Sequence, residues 1–170
     1  MIADTRFVIV AGMARNLGKT TLICNIIEHN SDKEIIALKF IILKEGGYQH
    51  RHHAHILKYE IFEEQNVDLQ KDTSRMLVSG AKRAYLLVTR EAYVPEALAD
   101  FLSRIEGDKY IIAESASLRY YIQPHKFIIL GKDTDSNKKA YMQELIPLAD
   151  YRIEDIFGKP ITANMYKVFE

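Results

Sequence analysis

The stretch "RFVIVAGMARNLGKTTLICNIIEH", Arg6 to His29, constrains this chain more than any other. An apolar run delivers the backbone to Gly12, a short polar loop follows, and a helical pattern opens at Lys19. A buried strand turning into a helix points the helix's unpaired amides and positive end at one place. An anion, above all a phosphate, fits that place. Gly18 permits backbone conformations that are costly for other residues, and a close approach to phosphate oxygens. Lys19 reaches β- and γ-phosphates, and the Thr20 hydroxyl is placed to ligate Mg²⁺. Thr21 is placed to donate to an α-phosphate. The usual loop has four residues between its glycines; here Gly12 and Gly18 are separated by five. The amides that bind lie around Leu17 to Thr20, so the extra residue lengthens the exit from the strand and leaves the nest of amides intact.

Further apolar runs alternate with helical patterns. "EIIALKF" (Glu34 to Phe40), "RAYLLVT" (Arg83 to Thr89), "KYIIAE" (Lys109 to Glu114) and "KFIIL" (Lys126 to Leu130) read as buried strands. "VPEALADFLSRI" carries Pro95 in a first helical turn, with Leu98, Phe101, Leu102 and Ile105 on one face. A polar helix is expected near Ser136 to Leu145, and "YRIED" is a candidate edge strand. This rhythm predicts an α/β fold: a single three-layer domain over residues 1–170, with a mostly parallel sheet covered on both faces. Ligand then belongs outside the carboxyl ends of the strands. Residues 41–71 break the rhythm and predict a hairpin or flap, with Gly46-Gly47 at a turn and Leu57, Tyr59 and Ile61 on one side of a half-buried strand.

Several residues near the expected strand ends carry candidate chemistry. Glu114 ends a strand, where a carboxylate holds the water shell of Mg²⁺ or orients an attacking water. Asp72, ahead of a helical run, is a helix cap, a metal ligand, or both. Arg15 lies within the loop, where a guanidinium neutralises charge on a transferred phosphoryl group. Lys39 offers a second cation near a strand end. His50, His52, His53 and His55 crowd one short segment; imidazoles suit Zn²⁺, Ni²⁺ or Cu²⁺, and a substrate-recognising or plain solvated loop is the competing reading. Lys132, Asp133 and Asp135 follow another strand where a base could be read, and they leave ATP against GTP open. His29 and His125 flank element ends and read as structural.

The loop length resembles that of dethiobiotin synthetase. The Arg15-Asn16-x-Gly-Lys-Thr-Thr portion is similar to the loop of molybdopterin-guanine dinucleotide biosynthesis protein B, and both families belong to the SIMIBI class of P-loop NTPases. "QKDTSRMLVSGA" matches a second element of the latter family at Lys71, Asp72, Thr73 and Arg75, Lys39 stands in a Lys-His element whose histidine is replaced by Phe40, and Glu114 stands where that family has Val-Glu-Gly. The resemblance implies a Mg²⁺-dependent ATP- or GTP-binding protein, an NTPase acting in cofactor biosynthesis or delivery. It also implies a partner enzyme of that pathway and a dimer, for which "ILKYEIFEE" is a candidate interface strand. The alternatives are an ATP-dependent kinase or ligase similar to dethiobiotin synthetase, and a nucleotide-clamped metallochaperone using the histidine segment; the class includes nickel-insertion GTPases with histidine-rich segments.

Composition narrows the partners. Lys plus Arg (23) balances Asp plus Glu (23), so no whole-molecule field favours nucleic acid or an anionic membrane. No apolar run approaches the roughly 20 residues that span a bilayer. One cysteine, Cys24, excludes an intramolecular disulfide and fits a reducing, cytoplasmic setting.

Overall fold

A computed structural model describes residues 1–43, 53, 55–132, 140–156 and 166–170. Strands β1 (Ile2–Gly12), β2 (Ile35–Leu43), β3 (Tyr59–Glu63), β4 (Arg83–Arg90), β5 (Tyr110–Glu114), β6 (Ile122–Leu130) and β7 (Tyr151–Ile153) form one sheet in the order β3-β4-β2-β5-β1-β6-β7. Every pairing is parallel except that of β3 with β4. Helices α1 (Lys19–His29), α2 (Asp72–Val78), α3 (Val94–Ser103) and α4 (Met142–Leu145) connect them.

The uninterrupted apolar strands have a simple cause: side chains alternate between two buried faces. Phe7, Ile9 and Ala11 of β1 join Ile36 and Leu38 of β2, Ile111 of β5 and Phe127 of β6 in one core, closed by Val94, Ala97, Leu98 and Phe101 of α3. Val8 and Val10 enter the other core, beneath Leu22, Ile23, Ile26 and Ile27 of α1 and Met76 of α2. Each fully buried side chain of this size contributes about 1.5–3 kcal/mol. The two layers of helix therefore clamp β1 from both sides and fix where its carboxyl end delivers the loop.

Residues 41–71 contribute β3, which joins the sheet edge antiparallel to β4, with Ile61 opposite Leu87. Tyr59 and Ile61 pack on the α3 core as the alternation predicts. Leu57 does not: it precedes the strand and is 80% exposed. The expected edge strand at Tyr151 is β7, parallel to β6. Gly46-Gly47 and the first four residues of the helix expected from Ser136 lie outside the described residues; its end is α4. Among those described, no helix is long and apolar enough to cross a membrane.

Candidate functional site

β1 ends at Gly12 and α1 begins at Lys19, so the intervening loop sits at the carboxyl end of the central strand. Backbone bonds anchor its entrance: the Met13 amide donates to the Leu130 carbonyl of β6 (2.7 Å), and the Ser115 amide donates to the Val10 carbonyl (3.1 Å). Gly18 adopts φ 84°, a left-handed conformation that a side chain would resist, and Asn16 holds φ 58°. No side chain caps α1. The first amides of a helix have no partner within it, and the positive helix end lies there too. Arg15 and Asn16 are exposed, whereas Leu17, Gly18, Lys19 and Thr21 are half-buried and Thr20 is buried.

Gly12 has a purpose that spacing alone does not reveal. A Cβ placed there would lie 2.8 Å from Lys19 Cδ and 3.1 Å from the Ala14 carbonyl oxygen. The lysine stem lies against the bare glycine, so the first glycine leaves room for the residue that reaches phosphate.

Three distant segments meet at Thr20. Its Oγ1 is 2.9 Å from Asp72 Oδ1 and 2.9 Å from Glu114 Oε2, across separations of 52 and 94 residues. A hydroxyl has one proton, so only one of these carboxylates can accept it at a time. Glu114 ends β5 beside β1, with Lys39 of β2 as its lateral neighbour in register. The Lys39 ammonium donates to Asp72 Oδ2, and the Lys19 ammonium stands 3.9 Å from Glu114 Oε1. Burial alone would raise the pKa of Asp72; the Lys39 hydrogen bond and charge, with the Thr20 bond, outweigh it and hold the carboxyl below the usual aspartate range.

Asp72 sits one position inside α2, whose cap residue is Lys71, and its carboxylate bonds across to Thr20 and Lys39. The cap reading of Asp72 is thereby corrected. The turn before α2 is held in other ways: Thr73 Oγ1 donates to Glu64 (2.8 Å), and the Leu69 amide, at φ 62°, donates to Ser74 Oγ (3.1 Å).

The histidine segment joins this site nowhere in the described residues. His55 Nε2 is 3.7 Å from Glu60, and the His53 carbonyl accepts the Ile56 amide. Among the described residues no group of three or more His, Cys, Asp or Glu could hold a metal ion. His50, His52, Asp133 and Asp135 lie outside them; Lys132 lies just past β6. His29, the last residue of α1, stacks on Tyr166 with centroids 4.1 Å apart; His125 lies within β6 rather than at an element end, and it bonds to the Glu170 carbonyl.

One contact carries no role in the sequence reading: Arg75 Nη2 donates to Thr21 Oγ1 (3.1 Å). Its spacing from Asp72 was the available signal, since residues i and i+3 on a helix share a face. A helix that aims Asp72 at Thr20 brings Arg75 to the next residue of α1.

No family model and no curated protein matches this sequence. Among solved structures, LpxK from Aquifex aeolicus, crystallised in complex with ATP, is similar in fold, with a TM-score of 0.55 at 14% identity. The match covers 95% of this chain and 52% of LpxK, so the chain spans about half the length of that protein. The seven-stranded, mostly parallel sheet, with its strand–loop–helix at the central strand, is a P-loop NTPase fold.

Proposed function

We propose that this chain binds a Mg²⁺·purine nucleoside triphosphate at Gly12 to Thr21 and hydrolyses it. The observation that carries this is the convergence of Asp72 and Glu114 on the Thr20 hydroxyl, each at 2.9 Å, directly behind a lysine at an uncapped helix start. Hydroxyl and carboxylate oxygens are the hard donors that Mg²⁺ takes. Thr20, with Asp72 or Glu114 directly or through water, would hold the ion, which would neutralise the phosphate chain. Lys19 and the loop amides would grip the β- and γ-phosphates. Arg15, exposed within the loop, is the residue of this chain nearest in sequence that could neutralise charge from the solvent side. Glu114 would orient the attacking water, and Lys39 would keep Asp72 ionised. ATP is the first nucleotide to test, because the similar fold of LpxK was seen with ATP; GTP is the second.

The matched positions Lys39, Asp72, Arg75 and Glu114 all gather around Thr20 and Thr21, which supports the likeness to molybdopterin-guanine dinucleotide biosynthesis protein B and a part in cofactor biosynthesis or delivery with a partner enzyme. The five-residue gap between the glycines favours a second reading, phosphoryl transfer to an acidic acceptor. ADP release that starts only when an acceptor is added would select it. The primary test is calorimetry with ATP and GTP, with and without Mg²⁺. Lys19→Ala should weaken binding by at least about tenfold (~1.4 kcal/mol). Equal affinity in wild type and variant would remove Lys19 from the site.

A further inference from the structure

Among the described residues, Arg75 is the one charged group at the loop to which the proposed chemistry gives no task. Its guanidinium is half-buried on α2 and donates through Nη2 to Thr21 Oγ1 (3.1 Å). Among the described residues it forms no ion pair, although it lies within electrostatic reach of Asp72. A half-buried arginine spent on a neutral hydroxyl is an uneconomical arrangement for stability alone, because burying its charge costs free energy that one neutral acceptor offsets poorly.

The direction of that hydrogen bond decides what Thr21 can do. A guanidinium has donors only, so Thr21 Oγ1 must be the acceptor and its single proton is left for something else. Inside a helix a threonine hydroxyl commonly donates back to the carbonyl of residue i−4, here Leu17. Among the described residues no such bond forms. A cationic donor also polarises the hydroxyl and strengthens what it donates next. Thr21 lies in the first turn of α1, where the helix end already favours a phosphate.

We propose that Arg75 is a positioning residue for the nucleotide: it fixes Thr21 Oγ1 as an acceptor, so that the hydroxyl proton is presented to the phosphate chain. This rests on the nucleotide reading of the loop. Arg75 then acts through Thr21, and its loss should cost nothing further once the hydroxyl is gone.

A double-mutant cycle on ATP affinity, measured by calorimetry with Mg²⁺ in excess, tests this. Thr21→Val keeps the shape of the side chain, and Arg75→Met keeps its length. Each single variant should weaken ATP about tenfold, and the double variant should be within about twofold of the weaker single. Losses that multiply would overturn the inference, since Arg75 would then touch phosphate independently. Wild-type affinity in Arg75→Met would overturn it too. Binding is compared at a temperature where unfolding curves show all four proteins folded, and Arg75→Gln replaces Arg75→Met if the latter does not fold. A wild type that binds no nucleotide removes the loop reading and this inference together. Wild-type binding that Lys19→Ala weakens, with multiplying losses at Thr21 and Arg75, removes the inference alone.

Discussion

The two ends of the central strands are both rich in charge, yet only one resembles a site. At the amino ends of β2 and β5 a depression of about 660 Å³ is lined by Asp32, Lys33, Glu34, Glu106, Asp108 and Lys109. Its pairs are neighbours in sequence or open to water: Lys33 with Asp32 at 3.4 Å and Lys109 with Glu34 at 3.3 Å, the acids being 75% and 58% exposed. At the carboxyl ends, Lys19 and Glu114 are 17% and 10% exposed, and the carboxylates come to Thr20 from 52 and 94 residues away. Exposed pairs are screened and contribute about 0–1 kcal/mol, whereas the same charges removed from water interact several times more strongly. Charge is cheap to display and expensive to gather. The charges gathered around an uncapped helix start support the proposed nucleotide site at the carboxyl ends.

The largest blow to this contrast comes from Gly18→Val. A β-branched residue at φ 84° costs about 1–2 kcal/mol in backbone strain, and the loop would leave its conformation to escape it. ATP affinity measured by calorimetry should fall about a hundredfold (~2.8 kcal/mol). Retained affinity would mean that the phosphate amides lie elsewhere, and the two ends would no longer differ in kind.

How much of this was legible in the sequence follows from the range of each interaction. The strand–loop–helix was readable because it is local: the apolar run, Gly18, Lys19 and the α1 stripe occupy consecutive positions. Glu114 was readable as a strand-end carboxylate. Which carboxylate meets Thr20 was not, because β5 lies beside β1 only through the sheet order, and both Asp72 and Glu114 arrive. Gly12 shows the same limit, since its reason is the stem of Lys19 lying over it. The antiparallel seat of β3 on β4 follows from a long-range pairing that its own alternation of side chains leaves undetermined. Leu57 belonged to that alternation and fell outside the strand.

A smaller and more discriminating effect is expected from Asp72→Asn. In the proposed complex Asp72, kept ionised by Lys39, would help hold Mg²⁺ beside the phosphate chain. Removing that carboxylate should weaken ATP about tenfold in the presence of Mg²⁺, yet strengthen it without Mg²⁺, because a negative charge leaves the phosphate region. A structural carboxylate would give losses in both conditions. The pH dependence has a defined sign. The folded-state pKa of Asp72 is depressed, so its stabilising contribution is present above the unfolded value, about pH 4, and is lost as pH falls through the folded value. Acid unfolding of Asp72→Asn should therefore be shallower below about pH 4 than that of wild type. Gly12→Ala ranks next: its backbone tolerates a side chain, but the new methyl displaces the Lys19 stem. Affinity should fall about threefold (~0.7 kcal/mol) with the thermal midpoint nearly unmoved.

The smallest effect is expected at the opposite end, where it carries the most weight for the comparison. Glu106→Gln combined with Asp108→Asn removes two exposed acids from the rim on either side of Gly107, a turn residue at φ 71°. The five residues of β5 separate that rim from Glu114 by about 16 Å, roughly two screening lengths at physiological salt. Neutralising the pair should leave ATP affinity within about twofold and, as for other exposed substitutions, stability within about 0.5 kcal/mol. Replacing Glu114 by Gln removes one carboxylate fewer than the rim pair, and it should act on nucleotide affinity where the rim pair does not. If the rim variant instead changed affinity by tenfold at physiological salt, screening over that distance could not account for it. Binding would then depend on the amino ends of the strands, and the distinction between gathered and displayed charge would have been drawn in the wrong place.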